Sequence, residues 1–309
     1  MLCLFRGIET MATDLTSPSF QQTLARPAVV SGRGLFHGIE AKVRLLPAEE
    51  NTGIIFRRTD LKWRPEVRAH VDHVSAAARR TILESSNGAV VETVEHLMAA
   101  LAGLRIDNCV VEINAIEVPA VDGSCLPFCD AILEAGINQQ TAQRSILVIE
   151  EPQCVNDRAN AQWIEAIPSM NGIPTVDFQL NYGPTAPFSP QSFAVQLTPE
   201  QFLNEIAAAR TFVLVEEVEA LQARGFGRHL TGKDLVVFNA DGTVVDNKLR
   251  WSDEPVRHKI LDCIGDLALC GRSFSGHVVA SRSGHKLNHV MAKTLSTIEQ
   301  GTPMLSRAA

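Results

Sequence analysis

Pro255-Val256-Arg257-His258-Lys259-Ile260-Leu261-Asp262-Cys263-Ile264-Gly265-Asp266-Leu267 is the stretch around which this 309-residue chain is organised. Read as a helix, it places Val256, Ile260, Ile264 and Leu267 on an apolar side. His258, Asp262 and Asp266 recur every fourth residue on another. An imidazole and a carboxylate one turn apart are neighbours on a helix surface, so His258 and Asp262 can converge on one metal ion. Spacing alone reads more readily as a solvated helix face. A second cluster, distant in sequence, supplies complementary groups.

That cluster is Glu92-Thr93-Val94-Glu95-His96-Leu97-Met98-Ala99-Ala100-Leu101. Val94, Leu97, Met98 and Leu101 follow the i, i+3, i+4, i+7 pattern, which predicts Glu95 and His96 in the first turn or two of a core-packed helix. The imidazole can bind a metal while the carboxylate beside it reaches a water held there. Zinc lowers the pKa of such a water to about 7, and a neighbouring Glu can take its proton as it attacks a carbonyl. His96, His258 and Asp262 make three protein ligands with one open position, the pattern of a catalytic rather than a structural zinc.

The totals bound the rest. A chain of this length exceeds the usual single-domain size, so two domains are expected. With 45% hydrophobic and 20% charged residues it can bury a real core. A formal charge of −7 argues against a general nucleic-acid binder, while leaving room for a local basic pocket. The seven cysteines include no Cys-x-x-Cys pair, which fits a reducing compartment and a cytoplasmic protein. Cys263 shares the central helix but is turned away from His258 and Asp262, and reads as a core thiol. No run of 18 apolar residues predicts a transmembrane helix. In the first 20 residues, Leu2-Cys3-Leu4-Phe5 is too short for a signal sequence. Residues 1–20 read as a disordered extension, with Met11 as an alternative start and an organelle-targeting role left open.

The pattern of elements predicts an α+β chain, with one domain over residues 21–145 and a second over 146–309. Val43, Leu45 and Ile54-Ile55-Phe56 mark short strands, and residues 32–38 form a turn-rich loop between two strands. After the Glu95-His96 helix come a strand near 109–113, a turn at Asp122-Gly123 and a helix entered by Ser124. Strands are predicted at 146–149, 163–167 and 176–180. Thr198-Pro199-Glu200-Gln201 has a capping-box pattern and starts a helix through about Ala208. A strand at 210–215 leads to a helix closed by Gly225, then a strand at 235–238, the central helix capped by Gly271, a strand at 277–280 and a last helix marked by Leu287, Val290, Met291 and Leu295. Strands mixed with paired helices suit α+β layers better than a doubly wound sheet. No internal repeat is legible.

Five segments in register carry a resemblance. They are Thr93-Val94-Glu95-His96-Leu97 with Ala99-Ala100-Leu101-Ala102-Gly103-Leu104, Val118-Pro119-Ala120-Val121-Asp122-Gly123-Ser124, Ala209-Arg210-Thr211-Phe212, the stretch from Val256 through Leu267, and Ser283-Gly284-His285 with Leu287-Asn288. Together, from about residue 22 to about residue 299, they closely resemble the zinc-dependent UDP-3-O-acyl-N-acetylglucosamine deacetylases of lipid A synthesis. The resemblance implies two similarly folded domains, each a small β-sheet layered on α-helices, with the active site at their interface. It also implies one catalytic zinc ion and hydrolysis of an N-acetyl group, releasing acetate from an acylated UDP-N-acetylglucosamine.

Roles follow residue by residue. By resemblance, Glu95 activates water, Thr211 donates a hydrogen bond to the carbonyl oxygen, and His285 is the cation that stabilises the oxyanion and can protonate the leaving amine. Asp266 lies roughly 12 Å along the helix from His258, too far to share a metal, and reads either as a carboxylate that holds His285 protonated and oriented or as an ordinary surface carboxylate. Lys259 points about 100° around the helix from His258 and reads from the residues as a solvated charge. The resemblance makes it a substrate-binding cation. Phe212 is implied to line the substrate cleft; Tyr182, the only tyrosine, stacks on uracil or packs in its loop.

Two segments depart from the family. Gly34-Leu35-Phe36-His37-Gly38 carries its imidazole one residue later than the family's Gly-Leu-His, away from a diphosphate. Residues 225–234 place bulkier, basic side chains where the family favours a Gly-Gly-Ser loop beside the acyl passage, which predicts an altered chain length or gating. A monomer without nucleic-acid partners is expected. The alternatives are a zinc amidase or peptidase on another substrate, or a non-catalytic nucleotide-sugar-binding protein with a structural metal. The first of these lacks a His-Glu-x-x-His helix.

Overall fold

Along Glu40–Pro47 every second side chain, Ala41, Val43 and Leu45, turns inward, while Lys42 and Arg44 face water. That alternation builds the first sheet. A computed structural model describes residues 19–299 apart from Lys233. The first unit runs β1 (Ala28–Arg33), β2 (Glu40–Pro47), β3 (Ile54–Arg58), β4 (Glu66–Arg68), α1 (Glu95–Gly103), β5 (Cys109–Ile113) and α2 (Leu126–Ala135). The second runs β6 (Gln153–Asp157), β7 (Gln162–Ile167), β8 (Thr175–Leu180) and β9 (Gln191–Gln196), then α3 (Pro199–Glu205), β10 (Phe212–Leu214), α4 (Val215–Ala223), β11 (Val236–Phe238), α5 (Glu254–Ala268), β12 (His277–Ser281) and α6 (His285–Thr297).

The two units share one topology. Their five-stranded sheets have the orders β1-β2-β5-β3-β4 and β6-β7-β12-β8-β9. In each, the strand from between the two helices sits at the centre, antiparallel to the second strand and parallel to the third. Helices α5 and α6 pack on the second sheet, α2 on the first, and α1 lies against α5, giving a sheet, two helix layers and a sheet. Buried apolar residues from both units form one continuous cluster, from Val43 and Leu97 to Ile260 and Leu295. Strand partners switch between Gln143 and Ile146: Ile137–Gln143 pairs with Phe20–Leu24, and Ile146–Val148 pairs with Ser273–Ser275.

The predicted elements are found with shifted ends. Thr198 caps α3, accepting from the Gln201 N–H at 3.2 Å, but the Gln201 side chain accepts from Gln196 instead of closing the box, and the helix stops at Glu205 rather than near Ala208. The strand expected over 210–215 is only Phe212–Leu214, because the Thr211 N–H leaves the ladder to bond Gly123 O at 2.8 Å. β10, α4 and β11 form an insertion in which the two strands pair in parallel around a small separate core of Val213, Leu235 and Val237. The expected extension lies outside the described residues except for Ser19 and Phe20, and Phe20 already opens a strand. No helix among the described residues is long and apolar enough to cross a membrane.

Candidate active site and metal centre

The site begins where α1 meets α5. Gly265 of α5 lies against the first residue of α1: a Cβ there would stand 2.0 Å from the Glu95 carbonyl oxygen. Only a residue without a side chain lets the helices approach this closely. Thr93, just ahead of α1, has φ +58°, a sparsely populated conformation for a β-branched residue, and its hydroxyl donates to buried Glu117. The turn sends the chain directly into the helix, so Glu95 and His96 are its first two residues and face α5.

His96, His258 and Asp262 converge there, buried, with their ligand atoms within 4.8 Å of one another. His258 donates from Nδ1 to Ala209 O at 3.1 Å, which leaves the Nε2 lone pair facing Asp262 Oδ1 at 3.4 Å. His96 Nε2 lies 3.6 Å from the same oxygen, and the two imidazole rings meet edge to face. Burial pushes His258 down to about 3, so its imidazole is neutral. Burial works against ionised Asp262, but the Lys259 ammonium beside it holds its carboxyl well below the usual range. Two imidazole nitrogens and one carboxylate oxygen, spaced too far apart to satisfy one another well, fit a divalent zinc-type ion.

Lys259 corrects one expectation. Its ammonium is largely buried and donates to Asp262 Oδ2 at 2.6 Å, rather than standing in solvent. Residues i and i+3 share a helix face, and the long stem closes the remaining gap. Burial opposes the charge, but Asp262 raises the Lys259 pKa above its ordinary value. The pair orients Asp262 so that Oδ1 is the oxygen left for the imidazoles.

A second group lies beside the first. Asp266, with no exposure, accepts from His285 Nδ1 at 2.8 Å and Asn288 Nδ2 at 2.9 Å on one oxygen, and from Thr81 Oγ1 at 2.6 Å and His289 Nε2 at 3.2 Å on the other. Burial alone would strip His285 of its proton; Asp266 outweighs it and raises the imidazole to about 9. Burial pushes Glu95 up, while nearby His285 and His96 pull the other way. Glu95 Oε2 accepts the Thr81 N–H at 3.1 Å. Asp266, His285 and His289 also have ligand atoms close enough together to hold an ion. Sequence reasoning missed Thr81, Asn288 and His289. His289 follows His285 by four residues on α6, the spacing already used for His258 and Asp262; Thr81 has no local signal.

Nine of the ten predicted site residues, all but Asp266, line one cavity of about 780 Å³. Asp266 reaches it only through His285. Thr211 stands just before β10, held through its N–H to Gly123 O, while neighbouring Arg210 forms a buried ion pair with Glu254 at the start of α5, Nε to Oε1 at 2.8 Å. Phe212 packs edge-on to His258, with ring centroids 6.3 Å apart, and to Tyr182 at 5.8 Å. Tyr182 also meets Phe188, so its ring belongs to an aromatic cluster on the cavity wall.

The two departing segments close over another side of the cavity. Phe36 and His37 donate their backbone N–H groups to buried Glu117, and a Cβ on Gly34 would lie 2.2 Å from that carboxylate. Phe36 lines the cavity, while His37 turns to Glu92 at 3.0 Å. Of residues 225–234, Phe226, Gly227, Leu230, Thr231 and Gly232 line the cavity and Arg228 is exposed, donating to Gln222 O. The wall in this segment is therefore apolar at Phe226 and Leu230 and polar at Thr231, and the basic side chain of Arg228 is turned outward.

Comparison with known proteins places this geometry. The sequence pattern of the family described as UDP-3-O-acyl N-acetylglycosamine deacetylase matches residues 21–297. The chain is 40% identical over 276 residues to the UDP-3-O-acyl-N-acetylglucosamine deacetylase of Geobacter sp. strain M21, covering 89% of this chain and 88% of the relative. The protein of that name from Citrifermentans bemidjiense gives the same identity and coverage. On a match that spans α1, α5 and α6 alike, the chain belongs to the UDP-3-O-acyl N-acetylglycosamine deacetylase family.

Proposed function

We propose that this protein removes the N-acetyl group from a UDP-3-O-acyl-N-acetylglucosamine in lipid A biosynthesis, using one zinc ion held by His96, His258 and Asp262. The carrying observation is the convergence of those three side chains, from both units, with Glu95 next to them on the cavity wall. When bound, zinc supplies a Lewis acid that lowers the pKa of water and polarises a carbonyl.

The chain's own residues divide the remaining work. Glu95, with its affinity for a proton raised by burial, accepts one from the attacking water. His285, kept charged by Asp266, faces the same cavity and supplies positive charge to the developing oxyanion, then a proton to the departing nitrogen. Thr211 contributes a hydroxyl donor for the carbonyl oxygen. Water adds to the amide carbon, the C–N bond breaks, and acetate and a free amine leave. Asp266 is assigned to proton holding rather than metal binding, because Thr81 and Asn288 already fill its oxygens alongside the imidazoles. Lys259, Phe212 and Tyr182 meet the nucleotide sugar, and the apolar arm between Phe36, Leu221, Phe226 and Leu230 takes the acyl chain.

The test is acetate release from an acylated UDP-N-acetylglucosamine series by zinc-reconstituted protein, with and without chelator. Glu95→Ala is expected to lower kcat by about 10²- to 10⁴-fold while keeping the metal. Near wild-type turnover by a zinc-loaded Glu95→Ala protein would sink the assignment.

A further inference from the structure

Thr81 sits between the two groups that handle protons. It is fully buried, and two atoms of this one residue engage two carboxylates: the backbone N–H donates to Glu95 Oε2 at 3.1 Å, and the hydroxyl donates to Asp266 Oδ1 at 2.6 Å. An ionised carboxylate only accepts, so the direction of the second bond is fixed. With its proton committed there, the Thr81 oxygen accepts from His289 Nε2 at 2.9 Å. His289 lies on α6 one turn beyond His285 and is itself 3.2 Å from Asp266 Oδ1. The opposite oxygen of Asp266 carries His285 Nδ1 and Asn288 Nδ2.

Two carboxylates in one buried site repel, and an unsupported one would rotate away from its partner. Threonine is suited to prevent this. Its β-branched side chain has few rotamers, so N–H and O–H are held in a stiff relation and each grips a different carboxylate. We propose that Thr81 is a positioning residue that locks Glu95 and the Asp266–His285 pair into one fixed arrangement, with His289 completing the hydrogen bonding of its hydroxyl. This inference rests on the deacetylase reading for its kinetic consequence, but not for its geometry.

Thr81→Val keeps the shape, the branching and the backbone N–H, and removes only the hydroxyl; Thr81→Ser keeps the hydroxyl. In the zinc-loaded full chain, Thr81→Val is expected to lower kcat by about 10-fold or more with KM little changed, and Thr81→Ser to restore most of it. His289→Ala, on a partly exposed face of α6, is expected to lower kcat less, by about 3- to 10-fold, again without a KM effect. It also serves if the valine variant does not fold. Independently of substrate, the low-field proton resonance of His285 Nδ1–H against Asp266 is expected to move in Thr81→Val and His289→Ala and to stay in Thr81→Ser. Unchanged kcat and resonance in the valine and His289 variants, or equal losses in Thr81→Ser and Thr81→Val, would overturn the proposal. A wild-type protein that releases no acetate would overturn the deacetylase reading instead, and the resonance would still decide the role of Thr81.

Discussion

At the scale of single residues, the site depends on pairing buried charges. His285 is raised to about 9 because Asp266 outweighs the cost of burial. Catalysis that needs His285 protonated is expected to fall as pH rises through about 9, and Asp266→Asn should move that alkaline limb downward, as read from kcat against pH. The same pair bears on stability. A folded pKa above the ordinary value of about 6.5 means that the contribution is complete below that pH and is lost as pH climbs toward 9. The wild-type melting temperature should therefore carry a loss across that window that Asp266→Asn lacks, measured by thermal denaturation at intervals of pH. Glu95, His96, His258 and Asp262 were legible because each pair is tied by a short helical or adjacent spacing. Thr81 was not: 185 residues separate it from Asp266, and no local period relates them.

At the scale of elements, α1 and α5 form the frame that brings the proposed metal ligands together, and their contact turns on Gly265. A glycine inside a helix normally costs about 1 kcal/mol relative to alanine. Here the missing side chain is the contact, since a Cβ would meet the Glu95 carbonyl at 2.0 Å. Gly265→Ala is expected to destabilise the protein by about 1–3 kcal/mol and to lower turnover, because both Glu95 and His96 ride on the displaced end of α1. Chemical denaturation with parallel kinetics checks this; a gain of about 1 kcal/mol, as at an ordinary helix position, would refute the frame argument. The hydrophobic period of α5 was readable in the chain, yet the period cannot say which face meets a neighbour's backbone. That is why Gly265 was read only as part of a helix.

At the scale of the molecule, one proposed ligand comes from the first unit and two from the second. A metal bound there holds both units and binds the folded state alone, so chelation is expected to lower the melting temperature and re-addition of zinc to restore it. A free metal concentration 1,000 times the Kd stabilises by about 4 kcal/mol. Calorimetry with and without chelator should show this difference in the wild type and lose it in His96→Ala and His258→Ala. Local pattern was enough to read the helix carrying His258 and Asp262, the helix opening on Glu95 and His96, and several of the strands, because hydrophobic period and spacing are local properties that survive without a fold. The family resemblance implied two similar folds, but their shared strand order came from the packed chain, since many apolar sequences satisfy the same pairing and leave no repeat to read. The tertiary structure alone placed Lys259 on Asp262, turned His37 to Glu92, and joined Thr81 and His289 to Asp266. Those contacts follow from burial: a polar group taken out of water must find its partner wherever the packed chain provides one, at any distance in sequence.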